Sequence, residues 1–339
     1  MKILVTGGAG FIGSHLVRRL VVEKAHDVVN LDALTYSGNL ANVQDLEGHP
    51  RYRFQQGDIC DHKLVTSLLR DHRIEGVINC AAESHVDRSI LDPKPCMETN
   101  VVGAAVLMES ARQAGIQRFL QVSTDEVYGN VSSGFSKEEA PLVPGNPYAA
   151  SKAAGDLLAR SYWTTFHFPI MITRGCNAYG PHQYPEKLIP LFITNAIDDQ
   201  PLPLYGDGRY QRDWLAVREH CAAMEQIFLK GEPGLIYNIA GGCERDNVTI
   251  AERLLDILDK PRSLLRFVHD RPGHDRRYAM NCDRLHRLGW RPTANFEDEL
   301  KAVAQWYRQH EEWWRPIKKG EFHQYYHRQY GARLGESIA

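Results

Sequence analysis

The chain has 339 residues, 43% hydrophobic and 24% charged, with a formal net charge of −2. That balance makes no electrostatic case for nucleic acid or an anionic membrane surface, and no stretch approaches the roughly 20 apolar residues of a membrane span. The opening MKILVTGG reads as a strand entering a glycine turn rather than a signal peptide, and the seven cysteines lack any Cys-x-x-Cys pair, so reduced thiols in a cytoplasmic protein are expected.

In chain order, strands are predicted at Lys2–Thr6, Val28–Asp32, Tyr52–Gln56, Gly76–Cys80, Arg118–Ser123 and Ile170–Arg174. Helices are predicted between them at Phe11–Val22, His62–Asp71, Glu98–Ala114 and Tyr148–Phe166. Alternation of helices with nearly continuous apolar strands argues for an α/β fold: a doubly wound parallel sheet covered on both faces. From about Gly175 prolines and glycines cluster, and helices return only at Glu219–Leu229, Thr249–Leu258 and Phe296–Trp313. Residues 1–175 are therefore read as a Rossmann domain carrying the chemistry. Residues 176–315 are read as a smaller mixed lobe, with some segments returning to the sheet. Residues 316–339 are polar and aromatic without a clear period, and partial mobility is expected there. His323 and His327 stand four apart, but no further ligand candidate lies near them, so no metal site is expected.

The helices near 98–114 and 148–166 are apolar nearly all round. One stripe suffices to cover a sheet, so the second face needs another partner. A homodimer through an intermolecular four-helix bundle is the expectation, with burial under the C-terminal lobe as the alternative.

Thr6-Gly7-Gly8-Ala9-Gly10-Phe11-Ile12-Gly13 follows the first strand and opens the first helix. Gly7 permits the tight turn, Gly10 lets backbone approach a pyrophosphate, and Gly13 lets helix and strand pack closely. Asp32 ends the next strand, where a carboxylate accepts from a ribose 2′-hydroxyl and repels a 2′-phosphate, so NAD is favoured over NADP. Asp58 and Ile59 follow the third strand within reach of an adenine. Ala81, Ala82 and Glu83 follow the fourth, at the carboxyl edge where ligands of such sheets sit.

Tyr148 and Lys152 share one face of a helix, and an ammonium beside a phenol is expected to lower the phenol's pKa. Such a tyrosine can take a proton from a sugar hydroxyl as hydride leaves the same carbon, with Thr124 hydrogen-bonding that hydroxyl. Asp125 and Glu126, directly after Thr124, form a pair that a plain dehydrogenase would not need.

On these residues the chain resembles the extended short-chain dehydrogenase/reductases and, among them, the nucleotide-sugar 4,6-dehydratases. The likeness runs through Asp32-Ala33-Leu34-Thr35-Tyr36, Ala81–Ser89, Thr124–Gly129, Pro185–Pro190, Tyr205–Gly208, Arg212-Asp213-Trp214 and Arg271–Asp275. The resemblance implies dehydration of dTDP-glucose with a tightly bound NAD that is regenerated each turnover, Asp125 as acid and Glu126 as base. It implies further cofactor contacts at Phe11, Ile12, Leu34, Thr35 and Thr99. It implies a substrate site built from Ser84, Asn177, Lys187, Leu188, Pro203, Tyr205, Arg212, Asn247, Arg271 and His274. Three positions depart from the family pattern: Ala178 where a second asparagine is usual, and Glu219 and Asn281 where aspartate is common. A UDP-sugar substrate, an epimerase or decarboxylase of the same fold, and a non-catalytic NAD-sensing protein are the alternatives. The Asp125–Glu126 pair argues against the epimerase, and the intact Tyr148 and Lys152 argue against the sensor.

Overall fold

The computed structural model describes residues 1–335. Its strands are β1 (Lys2–Thr6), β2 (Asp27–Asp32), β3 (Tyr52–Gln56), β4 (Gly76–Asn79), β5 (Arg118–Thr124), β6 (Ile170–Gly175), β7 (Asn177–Tyr179), β8 (Leu202–Tyr205), β9 (Gln211–Ala216), β10 (Ile236–Ile239), β11 (Glu244–Asp246) and β12 (Leu265–Val268). Seven of them form one parallel sheet in the order β10-β6-β5-β4-β1-β2-β3. Val5 of β1 pairs with Asn30 on one side and Ile78 on the other. The chain runs outward from β1 through β2 and β3, then returns to lay β4, β5 and β6 on the opposite side. The reversal between β1 and β4 opens a crevice at the carboxyl ends of the strands.

Alternation along β1 sends Ile3 and Val5 to one face and Leu4 to the other, and both faces are covered. Helices Phe11–Arg18 and Val217–Lys230 bury Leu16, Val17, Cys221 and Met224 on the first face. Helices His62–Asp71, Ala104–Gln113 and Pro147–Phe166 bury Val65, Leu107, Met108 and Ala159 on the second. A strand apolar on both faces is what this double cover requires.

A third core holds the later part of the chain, with Leu191, Phe192, Leu254, Tyr307, Trp314 and Phe322 at its centre. The stretch after Gly175, read as a loosened pattern, contains strands β7 to β9 and a helix, Leu188–Ile197. That helix is buried on nearly every side, so no amphipathic period marks it in the sequence. Pro190 lies in its first turn, where a missing N–H costs nothing.

The helix predicted over Phe296–Trp313 is two helices, Phe296–Gln309 and Glu311–Lys319, broken at His310 (φ −124°, ψ 49°), whose Nδ1 turns back onto the Trp306 carbonyl at 2.8 Å. The expected mobile tail is instead helical over Glu321–Tyr326 and again from His327 to Leu334, and Phe322, Tyr325 and Tyr330 are buried. Its period was hidden because the break at Gly320 and a π-helical stretch over His327–Gly331 interrupt the 3.6-residue repeat. Residues 336–339 of that expectation lie outside the described residues.

Helices 98–114 and 148–166 present Val102, Leu157 and Phe166 about half exposed to solvent, so the C-terminal lobe does not cover this face. Among the described residues no helix is long and apolar enough to cross a membrane.

Candidate active site

The crevice at the strand ends begins with a turn made almost entirely of backbone. Gly7 adopts φ +68°, and a Cβ at Gly13 would stand 2.0 Å from the Gly7 carbonyl oxygen. Only glycine lets the helix start this close to the strand that feeds it. Beneath the turn, Thr6 Oγ1 donates to Asn79 Oδ1 at 2.6 Å and Asn79 Nδ2 to Gln121 Oε1 at 2.9 Å, a buried polar rung that holds β1, β4 and β5 in register. Asp32 reaches back from β2, accepting from the Ala9 amide and the Leu34 amide, both at 2.8 Å. Burial raises its pKa, opposed by these backbone donors.

Gly7, Gly10, Phe11, Ile12, Gly13 and Asp32 line the resulting cavity, with Thr35, Asp58, Ile59, Ala81, Ala82 and Thr99 farther along it. Leu34 is the exception among the expected cofactor contacts. It stands apart from the wall because its backbone turns left-handed (φ 54°) to give its amide to Asp32. The cavity is a cradle that Cβ atoms would fill, set at a helix N-terminus, and it fits a dinucleotide.

At the inner end of the cavity, β5 stops at Thr124. The Thr124 hydroxyl accepts from the Glu126 amide at 3.3 Å, capping a short turn over Asp125–Tyr128, and donates to Asp125 Oδ1 at 3.1 Å. Asp125 is 4% exposed. Burial, then the neighbouring charge of Glu126, pushes its pKa up to about 8, against the pull of Arg212. A carboxyl so placed stays protonated at neutral pH and can donate. Glu126, less buried, accepts from Asn146 Nδ2 at 3.3 Å and lies 3.4 Å from the Tyr278 hydroxyl, which donates to Asp275 at 2.9 Å. Two adjacent carboxyls thus occupy different surroundings.

Tyr148 and Lys152 enter from the helix Pro147–Phe166. Pro147 opens it, and Asn146 caps it by accepting from the Ala149 amide at 2.9 Å. Lys152 Nζ donates to the Val122 carbonyl at 2.6 Å, and burial lowers its pKa to about 8 against the attraction of Asp156. The expected lowering of the Tyr148 phenol is not found. Burial, followed by the charge of Glu126, moves it up. Behind the helix, Asp156 and Arg174 form a fully buried pair at 2.8 Å.

A second cavity meets the first at Glu126, Asn177, Glu186 and Lys187. Leu188, Pro203, Tyr205, Arg212, Asn247, Arg271 and His274 line it, while Ser84 belongs to the first, its carbonyl accepting from Lys187 Nζ at 2.6 Å. Arg212 is buried over the Tyr278 ring at 4.3 Å, its guanidinium spread across the carbonyls of Gln211 and Asp275. Arg271 pairs with the buried Asp87 at 2.9 Å. His274 stacks on Tyr210 at 3.6 Å, and burial with the charge of Arg271 drops its pKa to about 3, so it is neutral. Asn247 Oδ1 and Arg271 Nε are buried without a partner. An acceptor and a donor left so in one cavity wall suit a polar, anionic ligand.

The expected catalytic and substrate residues therefore converge on two joined cavities. Glu186, which pairs with Arg88 at 2.8 Å and borders both cavities, was legible only as part of a motif. Asn146 carried a cap signal, but nothing in the sequence tied it or Tyr278 to Glu126. Tyr330, in the wall of the second cavity, had no signal at all. Ala178 turns toward the cofactor cavity and offers a methyl where an amide is usual. Glu219 accepts from Thr293 at 2.9 Å and Asn281 donates to Asp283 at 2.9 Å, neither in either cavity wall.

Comparison with known proteins gives concordant results. The model of the GDP-mannose 4,6 dehydratase family matches residues 4–303. The low-salt glycan biosynthesis protein Agl12 of Haloferax volcanii is 48% identical, over 91% of this chain and 98% of its own. The dTDP-glucose 4,6-dehydratase of Streptomyces niveus is 45% identical, over 94% of this chain and 96% of its own. The crystal structure of DesIV, a dTDP-glucose 4,6-dehydratase from Streptomyces venezuelae with NAD and TYD bound, superposes with a TM-score of 0.92 at 47% identity, covering 94% of this chain and all of that one.

Proposed function

This chain belongs to the GDP-mannose 4,6 dehydratase family, and on that footing we propose that it converts dTDP-glucose to dTDP-4-keto-6-deoxyglucose and water, as an NAD-dependent hydro-lyase. The observation that carries the reading is the pair of unlike carboxyls, a buried neutral Asp125 beside a more exposed Glu126. The two share the wall of the dinucleotide cradle with a tyrosine and a lysine.

The glycine turn and Asp32 would hold NAD, whose nicotinamide would supply a hydride acceptor for C4 and a hydride donor for C6. Every proton is moved by the chain. Tyr148 removes the proton from the C4 hydroxyl while Thr124 hydrogen-bonds that oxygen. The 4-keto group acidifies the C5 proton, which Glu126 removes. Asp125 protonates the C6 hydroxyl, which departs as water, and Glu126 returns a proton to C5. The cycle closes when the proton gained by Tyr148 reaches Asp125. We assign the relay to Thr124, whose hydroxyl donates to Asp125. Burial draws the tyrosine toward its neutral form, so the first proton transfer relies on the cationic surroundings of the occupied site.

In this reading residues 1–175 carry cofactor and chemistry, and the later lobe grips the nucleotide. Arg212 and Arg271 supply cationic forks for the diphosphate. A second copy of the chain covers the apolar face around Val102, Leu157 and Phe166, giving a homodimer; a monomeric mass at micromolar concentration would end that part of the proposal. Seven free cysteines accord with the reducing cytoplasm.

The test is to incubate the protein with dTDP-glucose and follow the alkali-induced absorbance of a 4-keto-6-deoxy sugar, with UDP-glucose alongside. Product from dTDP-glucose is expected; none, with NAD added and the fold intact, refutes the reading. Glu126→Gln is expected to cut product formation by about 10³-fold while still allowing NAD reduction. Wild-type dehydration by that variant would remove Glu126 from the role of base.

A further inference from the structure

A buried polar bracket stands behind the catalytic residues. Asp156 lies one helical turn past Lys152 and two past Tyr148, on the same face of helix Pro147–Phe166. Its Oδ2 accepts from Arg174 Nε at 2.8 Å, and both side chains are at most 1% exposed. Arg174 belongs to β6 and pairs in register with Ser123, one residue before Thr124. Its Nη1 donates to the Tyr128 hydroxyl at 2.9 Å and to the Glu138 carbonyl at 3.1 Å. Tyr128 closes the turn Asp125–Tyr128, and its hydroxyl donates on to Asn238 Oδ1 at 2.7 Å. One guanidinium therefore ties the helix of Tyr148 and Lys152 to the turn of Asp125 and Glu126.

Tyr128, Asp156 and Arg174 line neither cavity, so contact with a ligand does not explain them. Stability explains them poorly: desolvating two charges offsets most of their attraction, and an apolar pair of the same volume commonly folds as well. What the bracket supplies is direction, since a planar guanidinium accepts few arrangements of its partners. It also supplies charge. The Lys152 ammonium is buried, and Asp156 is the charge that acts most on it. Cys80, just past β4, also faces the ammonium, but burial pushes its thiol up to about 12 and so holds it neutral.

We propose that Arg174, Asp156 and Tyr128 are positioning residues for the dehydration. Arg174 fixes the helix that bears Tyr148 and Lys152 against the turn that bears Asp125 and Glu126, and Asp156 provides the counter-charge to the Lys152 ammonium. This rests on the dehydratase reading, and it extends the machinery of that site beyond the residues that line it.

The experiment uses full-length, NAD-loaded protein with dTDP-glucose. Tyr128→Phe keeps the ring and removes the hydroxyl that Arg174 holds. It is expected to lower kcat about tenfold, with KM and NAD affinity within about twofold of wild type. Asp156→Asn combined with Arg174→Gln strands no charge. This double variant is expected to lower kcat at least about tenfold and to move the basic limb of the kcat–pH profile from near pH 8 down by about one pH unit. The sign follows from the ammonium, which without Asp156 gives up its proton at a lower pH. Asp125 loses its proton in the same range as wild-type Lys152, so the limb moves only if Lys152 titrates first. Tyr128→Phe, which keeps both charges, is expected to leave the limb in place. Wild-type kcat in Tyr128→Phe overturns the proposal, as does an unmoved limb in the double variant. A double variant that does not fold, or that loses NAD and substrate affinity in step with kcat, marks a merely structural pair and also overturns it. Wild-type protein that forms no product refutes the dehydratase reading and this inference together. Contrary results in the variants alone refute only the inference.

Discussion

The two joined cavities are built by opposite means. The cofactor cavity is a backbone object: a glycine turn, a helix N-terminus and the ends of parallel strands, pinned by Asp32 and the Thr6–Asn79–Gln121 rung. The nucleotide cavity is a side-chain object. Its walls are Arg212, Arg271, Tyr205, Asn247 and Tyr330, drawn from segments far apart in the chain and held by buried pairs such as Arg271–Asp87. A backbone cradle tolerates most side-chain changes but not an added Cβ. A side-chain cavity should weaken with each member lost.

That contrast can be broken experimentally. The largest effect is expected from Gly13→Ala, because the new Cβ meets the Gly7 carbonyl oxygen at 2.0 Å, backbone against backbone. NAD affinity should fall at least about a hundredfold by fluorescence titration. A variant that keeps NAD would show that the cradle is softer than its geometry. Arg271→Ala comes next: it strands Asp87 in the nucleotide wall, and should weaken dTDP by about 30-fold with little change for NAD. Equal losses for both ligands would erase the distinction between the cavities.

Asp125 offers a smaller effect with a defined sign. Its carboxyl pKa is raised from the ordinary value near 3.8 to about 8, so the protonated form favours the fold at low pH and that contribution is lost as pH rises through about 8. Asp125→Asn, neutral at every pH, should therefore be more stable than wild type above neutrality, by about 1–3 kcal/mol at pH 8.5 and negligibly at pH 4, while losing dehydration. Denaturant melts at the two pH values measure it, and a gain that is equal at both would contradict the assignment. The smallest expected change is at Ala178, where restoring an amide adds at most one neutral hydrogen bond. Ala178→Asn should tighten NAD by about 0.5–1.5 kcal/mol, and weaker binding would mean that the methyl is packed against the cofactor.

The same contrast explains what could be read before the structure. A backbone site leaves its constraints in the chain as glycines at fixed spacing and an aspartate at a strand end, and the predicted strands of the sheet matched to within a residue or two. The candidate catalytic residues stood out because Thr124, Asp125 and Glu126 are adjacent and Tyr148 and Lys152 one turn apart. Helix Leu188–Ile197 was not, since burial on all sides erases amphipathic spacing. Nor was Tyr330, because its partner Tyr205 lies 125 residues away in sequence and only folding brings the rings together. The phenol pKa of Tyr148 was misjudged for a related reason. Spacing places Lys152 one turn away, but it does not show the burial and the Glu126 charge that dominate the phenol.

The central claim is that hydride leaves C4 and returns to C6 of the same molecule while Glu126 and Asp125 remove water between the two transfers. The most direct test is turnover of dTDP-glucose deuterated at C4, with the product read by mass spectrometry and NMR. The account predicts deuterium at C6 of the 4-keto-6-deoxy product, retained within the molecule. Deuterium kept at C4, or lost to water, would contradict it.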